Sequence, residues 1–117
     1  MVAFDGSATG HKTLQMLASS PLCEGLPIHI VMVGTDSEDN QNALEKARTT
    51  LASSGSLVHS EIRPGEVEST LHAYQAEHGI DLLVMGAYGH SRIRQFLIGS
   101  TTTTMLRTST VPLLLLR

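Results

Sequence analysis

The residues best suited to chemistry lie late in the chain, where Gly86-Ala87-Tyr88-Gly89 is followed by nine further residues and then by Gly99-Ser100-Thr101-Thr102-Thr103-Thr104. Glycine lets a backbone come close to a bulky polar group, and the free N–H groups at a helix start attract anions. Gly99, read as the residue that opens a helix, is therefore a seat for a phosphate. Ser100, Thr101 and Thr102 add amide and hydroxyl donors, each a neutral hydrogen bond of roughly 0.5–1.5 kcal/mol net. They can also cap the following helix, because capping and phosphate binding use the same turn. Arg92 and Arg94 stand on the intervening stretch and could screen phosphate charge, although solvated surface is their ordinary role. The pattern predicts a phosphate cradle, and so a nucleotide binder.

Two better-known phosphate loops are excluded. A Walker loop needs Gly-Lys-Ser/Thr, and the only lysines, Lys12 and Lys46, are far from these glycines. The dinucleotide fingerprint Gly-x-Gly-x-x-Gly fails as well, because Asp5-Gly6-Ser7 stands after the first apolar run. Asp5 is a second candidate for ligand contact, against the ordinary role of an Asp before Gly as a turn cap. Six histidines, His11, His29, His59, His72, His78 and His90, show neither a Cys/His spacing nor a His-Glu-x-x-His arrangement, so no metal site is expected of them. His90 alone lies near the glycine pattern. Cys23 is the single cysteine and permits no internal disulfide.

The elements that must position these groups are legible as an alternation. Apolar, partly β-branched runs at Met1 to Phe4, Ile28 to Val33, Leu57 to Arg63, Ile80 to Met85 and Val111 to Leu116 read as strands. Pro112 makes the last of them an edge strand or marks its start. Helical spacing appears from Thr9 to Ser19, through Ala43, Leu44, Ala47 and Leu51, from Val67 through Ala76, and from Ser100 to Thr108. Asp36 to Asn42 reads as a polar surface loop, and Gly55 and Gly79 as helix stops. This βαβαβαβαβ order implies a mostly parallel sheet with right-handed crossovers and helices on both faces. Ligands in such sheets bind beyond the carboxyl ends of the strands, where the strand order reverses. If the first and fourth strands are central neighbours, Asp5 and Gly86 bound that crevice.

Composition narrows the partners. The net charge of −3 argues against DNA or RNA, whose binders carry a clustered basic excess. An apolar fraction of 41% with 16% charged residues describes an ordinary globule, and 117 residues suit one domain spanning 1–117. No run approaches the roughly 18–20 apolar residues of a membrane span, and no signal segment opens the chain, so a cytoplasmic protein is expected. The short first strand suggests a domain cut from a longer chain.

With Gly86-x-x-Gly89-x9-Gly99-Ser100 in place, the chain resembles the universal stress proteins over nearly its whole length. The resemblance runs from Val2-Ala3-Phe4-Asp5-Gly6-Ser7 through Asp81-Leu82-Leu83-Val84-Met85-Gly86 to Val111-Pro112-Leu113-Leu114. It implies a three-layer, Rossmann-like fold of the adenine nucleotide alpha hydrolase-like kind, with five parallel strands in order 3-2-1-4-5. It further implies a homodimer formed through the last strand and, with the glycine motif intact, ATP binding. By matching position, Asp5 would lie near ribose and phosphates, Val33 would line the adenine site, and Met85 and Gly86 would contact base or sugar. Gly89, Gly99, Ser100, Thr101 and Thr102 would hold the phosphates. A threonine run replaces the valine and charged residue common after Gly-Ser in the family, and the clipped start resembles the second half of a tandem member. The expected function is an ATP-binding regulatory module of the stress response, with Mg²⁺ bridging the phosphates. A slow ATPase or nucleotide hydrolase using Asp5 or His90 as base is one alternative, and a nucleotide-free interaction module is the other.

Overall fold

The computed structural model describes residues 1–21, 25–53, 55, 57–86, 105 and 107–116. Along the chain, β1 (Val2–Ala3), α1 (Ala8–Ser19), β2 (Ile28–Val33), α2 (Glu38–Ala52), β3 (Val58–Arg63), α3 (Val67–His78), β4 (Leu83–Gly86) and β5 (Leu113–Leu116) follow one another. Every strand pair is parallel and the sheet order is β3-β2-β1-β4-β5. Two crossovers run outward from β1 to β3, and the next returns past β1 to β4. The reversal expected between the first and fourth strands is there.

Burial on both faces explains why the strands read as continuous apolar runs rather than alternating ones. On one face Val2, Phe4, Ile28, Ile30, Met32 and Val84 pack with Leu14 and Leu17 of α1 and Leu44, Ala47 and Leu51 of α2. On the other, Val31, Leu83 and Met85 pack with Leu71 and Tyr74 of α3 and with Met105. Each such aliphatic side chain contributes about 1.5–3 kcal/mol by leaving water. The sheet is thus the middle of three layers.

The helix boundaries follow from caps. Ser7 Oγ accepts from Gly10 N at 3.1 Å to start α1, and the chain leaves the helix at Ser20, before Pro21. In α2, Ser37 Oγ accepts from Asn40 N at 3.2 Å, and the acidic Glu38 and Asp39 occupy the first turn. Negative charge there complements the helix dipole, so the stretch expected to be loop as far as Asn42 is helical from Glu38. Gly79 ends α3 in the left-handed conformation, with φ of 61°. The following strand is shorter than expected: Ile80 N still bonds back to Gln75 O at 3.1 Å, and pairing begins at Leu83.

At the sheet's end, Pro112 precedes β5, and its carbonyl accepts from Leu83 N at 3.0 Å. The leucines of β5 alternate between the two cores, Leu114 and Leu116 toward α1 and α2, Leu113 and Leu115 toward α3. β5 is nevertheless an edge strand, with β4 as its one neighbour in the sheet. Of the last expected helix, Met105, Arg107 and Thr108 are helical, and 100–104 lie outside the described residues.

Candidate functional site

The carboxyl ends of β1 and β4 meet at the point where the strand order reverses. Ala3 stands opposite Met85 on one side and opposite Val31 on the other, and Phe4 N donates to Val31 O at 3.0 Å. Beyond that register Asp5 leaves β1 as Gly86 ends β4, so the two residues expected to bound the crevice are brought together. The connections of these two adjacent strands diverge, β1 toward β2 and β4 toward β5, and this is where parallel sheets open a cleft.

Asp5 is exposed, and its Oδ1 accepts from Ser7 N at 2.9 Å. The carboxylate therefore shapes the turn into α1 while standing at the mouth of the crevice. Gly6 takes a φ of 79°, which turns the chain sharply from strand to helix. α1 then crosses the sheet so closely that its first turns must be small. A Cβ on Gly10 would lie 3.0 Å from the Phe4 ring and 3.2 Å from Asp5 Oδ1.

Gly86 is required by the same close approach rather than by its own backbone angle. A Cβ there would meet Thr9 Cγ2 at 2.8 Å and Thr13 Oγ1 at 3.3 Å. Thr13 is buried and donates its hydroxyl hydrogen to Thr9 O at 2.9 Å, which ties these two threonines into one wall. The first two turns of α1 and the tip of β4 thus meet with the Thr9 methyl and the Thr13 hydroxyl packed against the bare backbone of Gly86. Sequence reasoning placed Gly86 here but missed Thr9, Gly10 and Thr13. The run Ala8-Thr9-Gly10 of small residues is the signal that could have found them.

Val33 closes β2 on the other side of β1. It is partly buried against the α3-side core, and Gly34 N donates to Arg63 O at 2.9 Å just beyond it. Asn40 Nδ2 donates to Thr35 O at 2.8 Å, so the start of α2 walls this end of the cleft. Met85 differs from the others because its side chain is buried in the α3-side core, and contact with a ligand would fall to its backbone. Gly89, Gly99, Ser100, Thr101 and Thr102, with His90, Arg92 and Arg94, lie outside the described residues.

Comparison with known proteins agrees with this architecture. The family model described as "Universal stress protein family" matches residues 1–117. Universal stress protein Slr1230 of Synechocystis sp. (strain ATCC 27184 / PCC 6803 / Kazusa) is 44% identical over 119 residues, covering 100% of this chain and 42% of its own length. Universal stress protein MJ0577 of Methanocaldococcus jannaschii is 25% identical over 80 residues, covering 68% of this chain and 49% of its own. The matched stretch thus covers less than half the length of either curated relative. The solved structure of MJ0577 superposes with a TM-score of 0.88 at 19% identity, covering 98% of this chain and 93% of that one. A universal stress protein solved in complex with cAMP superposes at 0.80 with 21% identity, covering 99% and 94%. At such identities the structures speak for the fold, a Rossmann-like α/β sheet. No helix among the described residues is long and apolar enough to cross a membrane. The family match along the full chain, joined to 44% identity with a curated member, shows that this chain belongs to the universal stress protein family.

Proposed function

We propose that this domain binds ATP, with Mg²⁺, in the crevice between β1 and β4, and that nucleotide occupancy regulates a stress-response interaction. The observation that carries the reading is the bare backbone of Gly86 at the strand-order reversal, held there by the close approach of the Thr9 and Thr13 side chains and leaving the end of β4 without a side chain of its own. In the sequence, the glycine and threonine pattern begins at this same Gly86. Gly89, Gly99, Ser100, Thr101 and Thr102 then hold the phosphates, Val33 lines the base, and the Met85 and Gly86 backbone contacts base or sugar. Asp5 sits near ribose and phosphates, where its carboxylate suits a Mg²⁺ ion that keeps most of its waters. A structural neighbour in complex with cAMP supports an adenine nucleotide as the class of ligand.

Binding rather than rapid hydrolysis is favoured because Asp5, the one candidate base among the described residues, already accepts the Ser7 N–H. The apolar edge of β5 supports pairing with a second copy or with a sister domain, since an uncovered leucine strand is a pairing hazard.

Thermal denaturation tests the binding. ATP-Mg at about a hundred times its dissociation constant stabilises a native state by about 2.7 kcal/mol, roughly a 10 °C rise in Tm for a domain of this size. An unchanged Tm at millimolar ATP-Mg removes the proposal. Single-turnover assays separate binding from catalysis: the wild type should release phosphate no faster than Asp5→Ala. Phosphate release abolished in that variant, with ATP affinity kept, makes the domain an ATPase instead.

A further inference from the structure

At the opposite end of the sheet from the crevice, histidines that are far apart in sequence share one polar cluster between α3 and the β2–β3 edge. His29 of β2 stands in register with His59 of β3, and their rings are 5.6 Å apart between centroids. His78, the last residue of α3, brings a third ring to 5.2 Å from His29. Tyr74 lies among them, stacked on His78 at 4.2 Å, with its hydroxyl 2.7 Å from His29 Nδ1. The phenol can donate to a neutral imidazole and accept from a protonated one, so this bond survives either state of His29.

The charges around the cluster do not survive so evenly. Arg63 of β3 lies over the Tyr74 ring, 4.6 Å from its centroid, and pairs with both Glu61 of β3 and Glu77 of α3. Both nearby carboxylates are thus already engaged by a guanidinium. A proton arriving on His29 meets the rings of His59 and His78, and burial opposes its charge. No group of three or more His, Cys, Asp or Glu among the described residues is arranged to hold a metal ion.

We infer that His29, set among His59, His78 and Tyr74, forms an acid-sensitive latch, which packs α3 onto β2 and β3 while its imidazole is neutral and loosens when it takes up a proton. The sign follows from His29, whose pKa burial holds below the ordinary histidine value, with His78 and His59 acting in the same direction. The folded chain then takes up this proton less readily than the unfolded chain. The latch's contribution is complete above the ordinary histidine value, near 6.5, and is lost as pH falls through the lower folded value.

The test compares the wild-type chain with His59→Gln/His78→Gln, which changes two exposed positions and leaves the half-buried His29 and the buried Tyr74 unchanged. Urea unfolding between about pH 8 and about pH 5 should show a falling wild-type midpoint and a flatter profile in the double variant. In NMR titrations, His29 should take up its proton at a higher pH in the variant than in the wild type. Amides of 71–78 should exchange faster at the acid end in the wild type than in the variant. Parallel unfolding profiles, or a His29 titration that does not move, overturn the latch.

Discussion

Gly86→Ala should lower the unfolding free energy by about 1–3 kcal/mol, the usual cost of forcing a methyl group into a filled site, and should weaken ATP-Mg binding at least about tenfold, or 1.4 kcal/mol. The added Cβ lands 2.8 Å from Thr9 Cγ2, closer than nonbonded carbons approach. Thr9 is β-branched and sits in the first turn of α1, where its χ1 choices are few. Thr13 offers no room either, because it is buried and bonded to Thr9 O. Relief therefore requires α1 and β4 to move apart, and these two elements form the floor of the crevice. Gly34→Ala is the control: it stands at the end of β2 without a left-handed φ, and its nearest neighbour would be Asn40 Nδ2 at an ordinary 3.5 Å. Its stability should stay within about 0.5 kcal/mol of wild type or rise slightly. Urea midpoints and calorimetric titrations of both variants check the pair. Equal stability losses would mean that close packing at Gly86 is not what makes it glycine.

The second large effect lies at the other face. Tyr74→Ala should cost about 3–5 kcal/mol, the range for truncating a large buried aromatic, and so remove much of the 5–15 kcal/mol that stabilises a typical domain. Tyr74 is fully buried and stacks on His78 while Arg63 covers its other surroundings. Removing the ring opens a cavity between α3 and β2 and takes away the aromatic face beneath the guanidinium that links Glu61 to Glu77. Tyr74→Phe keeps the ring and deletes only the hydroxyl that meets His29 Nδ1, which should cost about 1 kcal/mol. Denaturation of the two variants at neutral pH separates packing from hydrogen bonding. A Phe variant as unstable as the Ala variant would assign the loss to the polar bond.

The layered fold was legible because short apolar runs separated by helical spacing leave few parallel topologies open, and Pro21, Gly55 and Gly79 punctuate them. The start of α2 was not, because Glu38 to Asn42 is polar throughout and is made helical by the Ser37 cap and by acidic residues at the dipole's positive end. Asp5 and Gly86 could be placed at one crevice from strand order alone. The part played by Thr9 and Thr13 depends on how closely α1 crosses β4, a distance that no local pattern encodes. The histidine cluster was hidden for a related reason. His29 and His59 meet through strand register and His78 through the docking of α3, so contacts across 30 or more residues assemble a group that reads in the sequence as scattered surface positions.

Equilibrium calorimetric titration of ATP-Mg into the wild-type chain, alongside a variant in which Gly99 and Ser100 are replaced by valine and alanine, bears most directly on the crevice. Saturable binding at one site per domain is expected in the wild type, with its loss in the variant while the unfolding midpoint is retained. A wild-type chain that shows no saturable heat, or a variant that binds as tightly as the wild type, contradicts an ATP site between β1 and β4.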